Sequence, residues 1–227
     1  MLGSARSAFV MNRNLVTLPA AVAAYNLNEN TGTTAADSSG NAHTLTLNNA
    51  TWTASGHTGA ALTNTSATSG ASTALLAPTA AITVMAWIKP LDLTSGTTRF
   101  ALGFIDNGGN SDVTFFTQRA DFGTSNVLQV DVRIGGSLIA LNGSALTVGT
   151  WAHIAMTYDG TNLKLYKDGT IAASTTSSGT VATGDAFWVA GWNTVSPYPT
   201  NVVVDDVRVF STALTAAQVT LAMNTPV

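Results

Sequence analysis

Apolar and polar residues alternate along most of this chain at the two-residue period of a β-strand. Ala23, Tyr25 and Leu27 alternate with small or polar neighbours, and Leu45 and Leu47 alternate with Thr44 and Thr46. Ile82, Val84, Ala86 and Ile88 form one apolar stripe. Leu128, Val130, Val132 and Ile134 form a second, with Gln129, Asp131 and Arg133 opposite. Ile154, Met156 and Tyr158 form a third, with His153 and Thr157 opposite, and Phe187 and Val189 mark the strand before the last. Asp159-Gly160-Thr161-Asn162 and Asp168-Gly169 separate three strands in succession. Asp-Gly favours tight hairpins because glycine accepts a positive φ, so this stretch reads as a meander. The pattern predicts an all-β fold: a two-sheet antiparallel sandwich of about a dozen short strands.

One helix is signalled. Thr215-Ala216-Ala217-Gln218 fits a capping box, flanked by Leu214 and Val219 at the staple positions, and predicts a short C-terminal helix over 216–222. Residues 1–20 show no clear period and read as an N-terminal arm. Residues 21–227 read as one domain. The arm is expected to be dispensable for folding and to serve docking to other virion or surface proteins.

The closing apolar run is Val202-Val203-Val204-Asp205-Asp206-Val207-Arg208-Val209-Phe210. At strict alternation Val203, Asp205, Val207 and Val209 share an inward face, which makes Asp205 an inward carboxylate and turns Asp206 the other way. A bare buried carboxylate costs several kcal/mol, so Asp205 needs a cation, a basic side chain or backbone N–H groups. It is expected to be the acid most sensitive to substitution.

Charged residues are 9% of the 227, against about 25% in typical domains. Ala, Thr, Ser, Gly and Asn fill the difference, so the surface is neutral and hydroxyl-rich. A net charge of −3 argues against electrostatic nucleic-acid binding. No apolar run is long enough for a membrane span. The absence of cysteine excludes disulfides and thiolate chemistry. Arg6 and Arg13 interrupt the place where a secretion signal would carry its apolar core.

The order of short motifs over residues 22–224 resembles the laminin-G-like jelly rolls of the concanavalin A-like lectin/glucanase superfamily. The motifs are Ala23-Ala24-Tyr25-Asn26-Leu27, Asp37-Ser38-Ser39-Gly40-Asn41, Ala50-Thr51-Trp52 and the long strand ending Trp87-Ile88-Lys89-Pro90. Trp151-Ala152-His153, Leu165-Tyr166-Lys167-Asp168-Gly169 and the closing strand with its helix complete the series. The resemblance implies a jelly-roll sandwich. It also implies a structural Ca²⁺ at Asp205, with Asp37, carbonyls near Gly40, and Glu29 as further ligands. The alternative is that Asp37 makes an Asx-turn and Asp205 accepts backbone N–H bonds.

Catalysis finds no support in the residues. Retaining glycoside hydrolysis needs two carboxyl groups about 5 Å apart. The superfamily's glucanases carry them in an E-x-D-x-x-E pattern, whereas Glu29 is the only glutamate here. There is no G-x-S-x-G elbow, and His153 reads as an imidazole packed on the sheet and hydrogen-bonded. Sugars stack on exposed rings beside amides. The loop after Gly191, with Trp192, Asn193 and Tyr198, has that composition, and Trp87 and Trp188 sit opposite apolar stripes. Two functions are expected. One is a non-catalytic structural or adhesive protein of a virion surface, such as a phage minor tail or capsid-decorating protein, within a homo-oligomer or larger assembly and touching host glycans. The other is an extracellular carbohydrate-binding module of a secreted bacterial protein.

Overall fold

The computed structural model describes residues 15–65, 70–75, 77–94, 96–106, 110–118, 126–192 and 200–227. Among them are the strands β1 (Ala23–Tyr25), β2 (Thr34–Ala35), β3 (Leu45–Leu47), β4 (Thr51–Thr53), β5 (Ala61–Asn64) and β6 (Ala71–Thr73). Then follow β7 (Ile82–Pro90), β8 (Arg99–Ile105), β9 (Ser111–Gln118), β10 (Val127–Ile134) and β11 (Ser137–Ala145). The chain closes with β12 (Ala152–Tyr158), β13 (Asn162–Lys167), β14 (Thr170–Thr176), β15 (Ala186–Val189), β16 (Val202–Phe210) and helix α1 (Ala216–Met223).

Two antiparallel sheets face each other. The first runs β14-β13-β12-β7-β16-β5-β4, with β1 also paired to β16. The second runs β11-β10-β9-β8-β15-β6-β3-β2. Between them lies one continuous core, which includes every residue of the three predicted stripes together with Phe104, Phe115, Phe187 and Leu102. The meander forms as expected. Asp159 Oδ1 accepts the N–H groups of Thr161 and Asn162, and Asp168 and Gly169 both adopt positive φ (50° and 76°) in the second turn.

Helix α1 carries the predicted capping box: Gln218 N–H donates to Thr215 Oγ1, and Thr215 N–H donates to Gln218 Oε1. The helix does not touch the central core. With Leu214 it packs on the outer face of the first sheet, where Met85, Ala155, Tyr166 and Phe210 form a second apolar layer with Val219 and Ala222.

The chain before β1 is not wholly outside the domain. Leu18 and Ala21 pack against this second layer, and Gln218 Nε2 donates to Thr17 O. No helix among the described residues is long and apolar enough to cross a membrane.

Candidate functional site

The closing strand is where the structure departs furthest from simple alternation. In β16, Val203 pairs with Lys89, Val204 with Ile88 and Asp205 with Trp87, but Arg208 pairs with Met85. Two residues of β16, Asp206 and Val207, therefore stand opposite Ala86 alone. This is a β-bulge, and Asp206 sits in it at φ 47°. Parity reverses across the bulge. Val202 and Val204 face the core before it, and Val207 and Val209 after it. Asp205 is fully buried but lies on the outer side of the sheet, not between the sheets. The sequence carried a sign of this: the apolar pairs Val202/Val204 and Val207/Val209 are out of phase by one residue.

The same bulge corrects the expectation that the two acids face opposite ways. Asp205 and Asp206 share the outer face. Asp206 is bound by Arg208, whose Nε donates to Oδ1 at 3.0 Å and Nη2 to Oδ2 at 3.3 Å. Arg208 also donates to Thr225 O, which draws the C-terminal residues over the pair. Asp205 Oδ2 accepts Thr58 N–H at 2.9 Å, and Oδ1 accepts Asp206 N–H at 2.8 Å. Burial pushes the Asp205 carboxyl up to about 6, against the pull of the N–H groups of Thr58, Asp206 and His57. Burial raises Asp206 as well, with Arg208 opposing.

Asp205 thereby holds down residues 55–59, a tight loop closed by Gly56 N–H to Gly59 O at 3.0 Å. Gly59 takes φ 75°, and a Cβ there would lie 2.2 Å from Asn28 Oδ1. That Asn28 oxygen accepts Ala60 N–H. So fixed, the loop lays His57 flat on Trp87, with ring centroids 3.6 Å apart and planes 12° apart. Trp151 stands edge-on to His57 at 5.7 Å, and Lys89 Nζ lies 4.9 Å from the Trp151 ring centre. Lys89 also donates to Ser55 O.

Below this layer His153 is edge-on to Trp87 at 5.4 Å. It is packed on the sheet as expected, but its Nδ1 is buried and makes no hydrogen bond. Burial, helped by Arg208 and His57, pulls its pKa down to about 3, so the ring is neutral. The result is a patch on the outer face of the first sheet. His57 is exposed, while Trp87, Trp151 and Lys89 are partly so. The polar residues Asp205, Asp206, His153 and Arg208 lie beneath and fix its shape.

The proposed calcium ligands do not meet. Asp37 Oδ1 accepts Ala24 and Ser39 N–H, and Oδ2 accepts His43 N–H. Burial raises its pKa, but these N–H groups outweigh that and hold the carboxyl below its usual range. Glu29 accepts Ala36 N–H, and Gly40 is an exposed turn residue at φ 87°. Backbone donors converge on Asp37 and one donor reaches Glu29 Oε1, while Glu29 Oε2 is buried without a hydrogen bond; calcium requires converging oxygens. Among the described residues no three His, Cys, Asp or Glu side chains are grouped to hold a metal. The contacts at Asp37 and Asp205 are those of the hydrogen-bonded alternative.

The aromatic loop also needs correction at Trp192. Its ring is 1% exposed and packs with Phe100 and Phe116 on the outer face of the second sheet, so it offers no stacking surface. Asn193 and Tyr198 lie outside the described residues. Trp188, partly exposed, borders that cluster. Sequence reasoning placed Trp87 facing outward but missed its partners His57, Trp151 and Lys89, which come from three separate segments.

Comparison with known proteins fits this architecture. Domain 4 of AbnA, an extracellular arabinanase of glycoside hydrolase family 43 from Geobacillus stearothermophilus, was solved with arabinotriose. It superposes with a TM-score of 0.63 at 26% identity, over 89% of this chain and 97% of that domain. The ligand-binding domain of botulinum neurotoxin serotype D, solved with N-acetylneuraminic acid, superposes at TM-score 0.61 and 16% identity. Trypanosoma rangeli sialidase, in complex with sialic acid, does so at 0.66 and 15%. This chain covers 89% of its own length in both, but only 50% of the first and 32% of the second, and at these identities the likeness is one of fold. No curated protein sequence matches the chain. The model of the concanavalin A-like lectin/glucanases superfamily matches residues 62–220, most of the chain, and the protein belongs to that family.

Proposed function

We propose that this protein is a non-catalytic carbohydrate-binding module that takes neutral oligosaccharides on the patch of His57, Trp87 and Trp151. The observation that carries this reading is the patch itself: exposed or partly exposed rings, supported from below by buried polar residues, with the ammonium of Lys89 over the Trp151 ring. The C–H faces of a sugar stack on such rings, while neighbouring donors engage its hydroxyls. A surface with so few charges favours neutral sugars over acidic ones. The likeness to an arabinanase domain seen with arabinotriose supports the ligand class. Of the two settings expected from the sequence, it favours an accessory module of a secreted bacterial protein over a virion.

The absence of catalysis is part of the proposal. Asp205 and Asp206 are adjacent and both raised in pKa, the kind of pair that marks many active sites. Here each is already engaged, one with backbone N–H groups and the other with Arg208, and both are buried beneath the rings. A glycan array that includes arabino-oligosaccharides tests the reading. The expected result is binding to neutral oligosaccharides with no release of reducing ends. An empty array, or reducing ends released by the pure protein, contradicts it.

A further inference from the structure

The described strands leave five sheet ends, and these differ in how they are closed. Three of them, β1, β2 and β4, are two or three residues long, too short to template another strand. The fourth, β14, is seven residues long, but a register shift interrupts it: Leu165 pairs with Ala173 and Tyr166 with Ile171, leaving Ala172 bulged. The remaining end, β11, is nine residues long, and its first six, residues 137–142, keep unbroken register with β10. It holds neither proline nor charge, the devices that usually blunt a sheet edge. Indeed residues 134–158 contain no Asp, Glu, Lys or Arg.

The edge is also incompletely covered. Ile139 faces the core but is only partly buried, and Leu138, on the outer face, is 41% exposed. Every second residue of such a strand turns its N–H and C=O away from its only neighbour.

We infer that β11 pairs antiparallel with β11 of a second copy of this chain, about a two-fold axis at Ala140. Opposite residues then share a face. Ala140 meets Ala140, Ile139 meets the partner's Leu141, and Leu138 meets the partner's Asn142. The small side chain lies on the axis, the apolar pair completes the rim of the core, and no like charges are opposed. The shift in register after Asn142 ends the pairing. An interface one strand wide lies at the small end of specific interfaces, so the dimer is expected to be weak and concentration-dependent. The inference does not depend on the glycan reading.

Sedimentation velocity of the full chain tests it, from about 1 to 200 µM, the range that brackets a weak interface. The native chain is expected to pass from monomer to dimer. Ala140→Lys places two ammonium groups opposite each other on the axis and is expected to weaken the dimer at least about tenfold. Ser174→Lys, on β14, is expected to leave it unchanged. A native chain that stays monomeric throughout, or a dimer indifferent to Ala140→Lys, overturns the inference. Should Ala140→Lys fail to fold, hydrogen exchange on the native chain decides: β11 amides are expected to gain protection with concentration, and protection independent of concentration also overturns it.

Discussion

Asp205 shows how burial and hydrogen bonding compete at a single carboxylate. Its folded pKa, about 6, lies above the unfolded value of about 3.9. The folded chain therefore holds this proton more tightly than the unfolded one. The associated stability is fully present below about pH 4 and is lost as pH rises through about 6. Asp205→Asn removes that dependence and leaves at least one of the N–H groups of Thr58, Asp206 and His57 facing an amide donor. We expect it to destabilise the fold by about 1–3 kcal/mol at low pH and by less near neutrality, read by urea unfolding at about pH 4 and pH 7.

His153 works in the opposite sense. Its folded pKa, about 3, lies below the unfolded value of about 6.5, so its contribution is present above about 6.5 and is lost as pH falls toward 3. His153→Gln should flatten the fall in Tm over that window.

Asp206, expected from the sequence to be less sensitive than Asp205, is the partner of a buried cation. Removing it strands a buried guanidinium, so Asp206→Ala should cost about 3–5 kcal/mol, more than Asp205→Asn, by the same unfolding measurement. Equal and small effects of the two substitutions would contradict the assignment of both acids to this layer.

At the scale of elements, legibility followed how each segment buries its side chains. Strands β7, β10 and β12 each turn one stripe to the central core, and their period was plain in the sequence. The helix was legible because its capping box is a local signal, independent of tertiary context. The bulge in β16 was harder. One extra residue at positive φ changes no composition, yet it moves Asp205 and Arg208 to the outer face and returns Val207 to the core. Of the His57–Trp87–Trp151 patch only the outward face of Trp87 was legible, because its members are brought together by strand order and by the loop that Asp205 holds. The contacts just before β1 were not legible for a related reason: they are few, with Leu18 and Ala21 on the second layer and Thr17 O accepting from Gln218. Truncation to Val22 exposes the layer beneath Leu18 and Ala21, and we expect a folded chain that is less stable by about 1–3 kcal/mol, seen as a lower Tm in a thermal melt. An unchanged Tm would mean that these contacts contribute nothing.

Across the whole molecule, the fold separates its tasks by layer. The central core, with its aliphatic and aromatic stripes, fixes the two sheets. The outer layer on the first sheet holds α1 at one end and, at the other, buried charges that set a rigid aromatic patch above them. Such an arrangement suits the proposed binding role: rings open or partly open to solvent, and carboxylates engaged in hydrogen bonds beneath them. The account stands or falls on that patch. Its most direct test is calorimetric titration of the native chain and of Trp151→Ala with the neutral oligosaccharide that binds best, arabinotriose being the first to try. Trp151 is the ring of choice because it is partly exposed and no hydrogen bond of the buried layer passes through it. The account predicts saturable binding by the native chain, and an affinity lowered about tenfold in a variant whose Tm is unchanged, the loss expected for one stacking contact. Undiminished affinity in folded Trp151→Ala would contradict it.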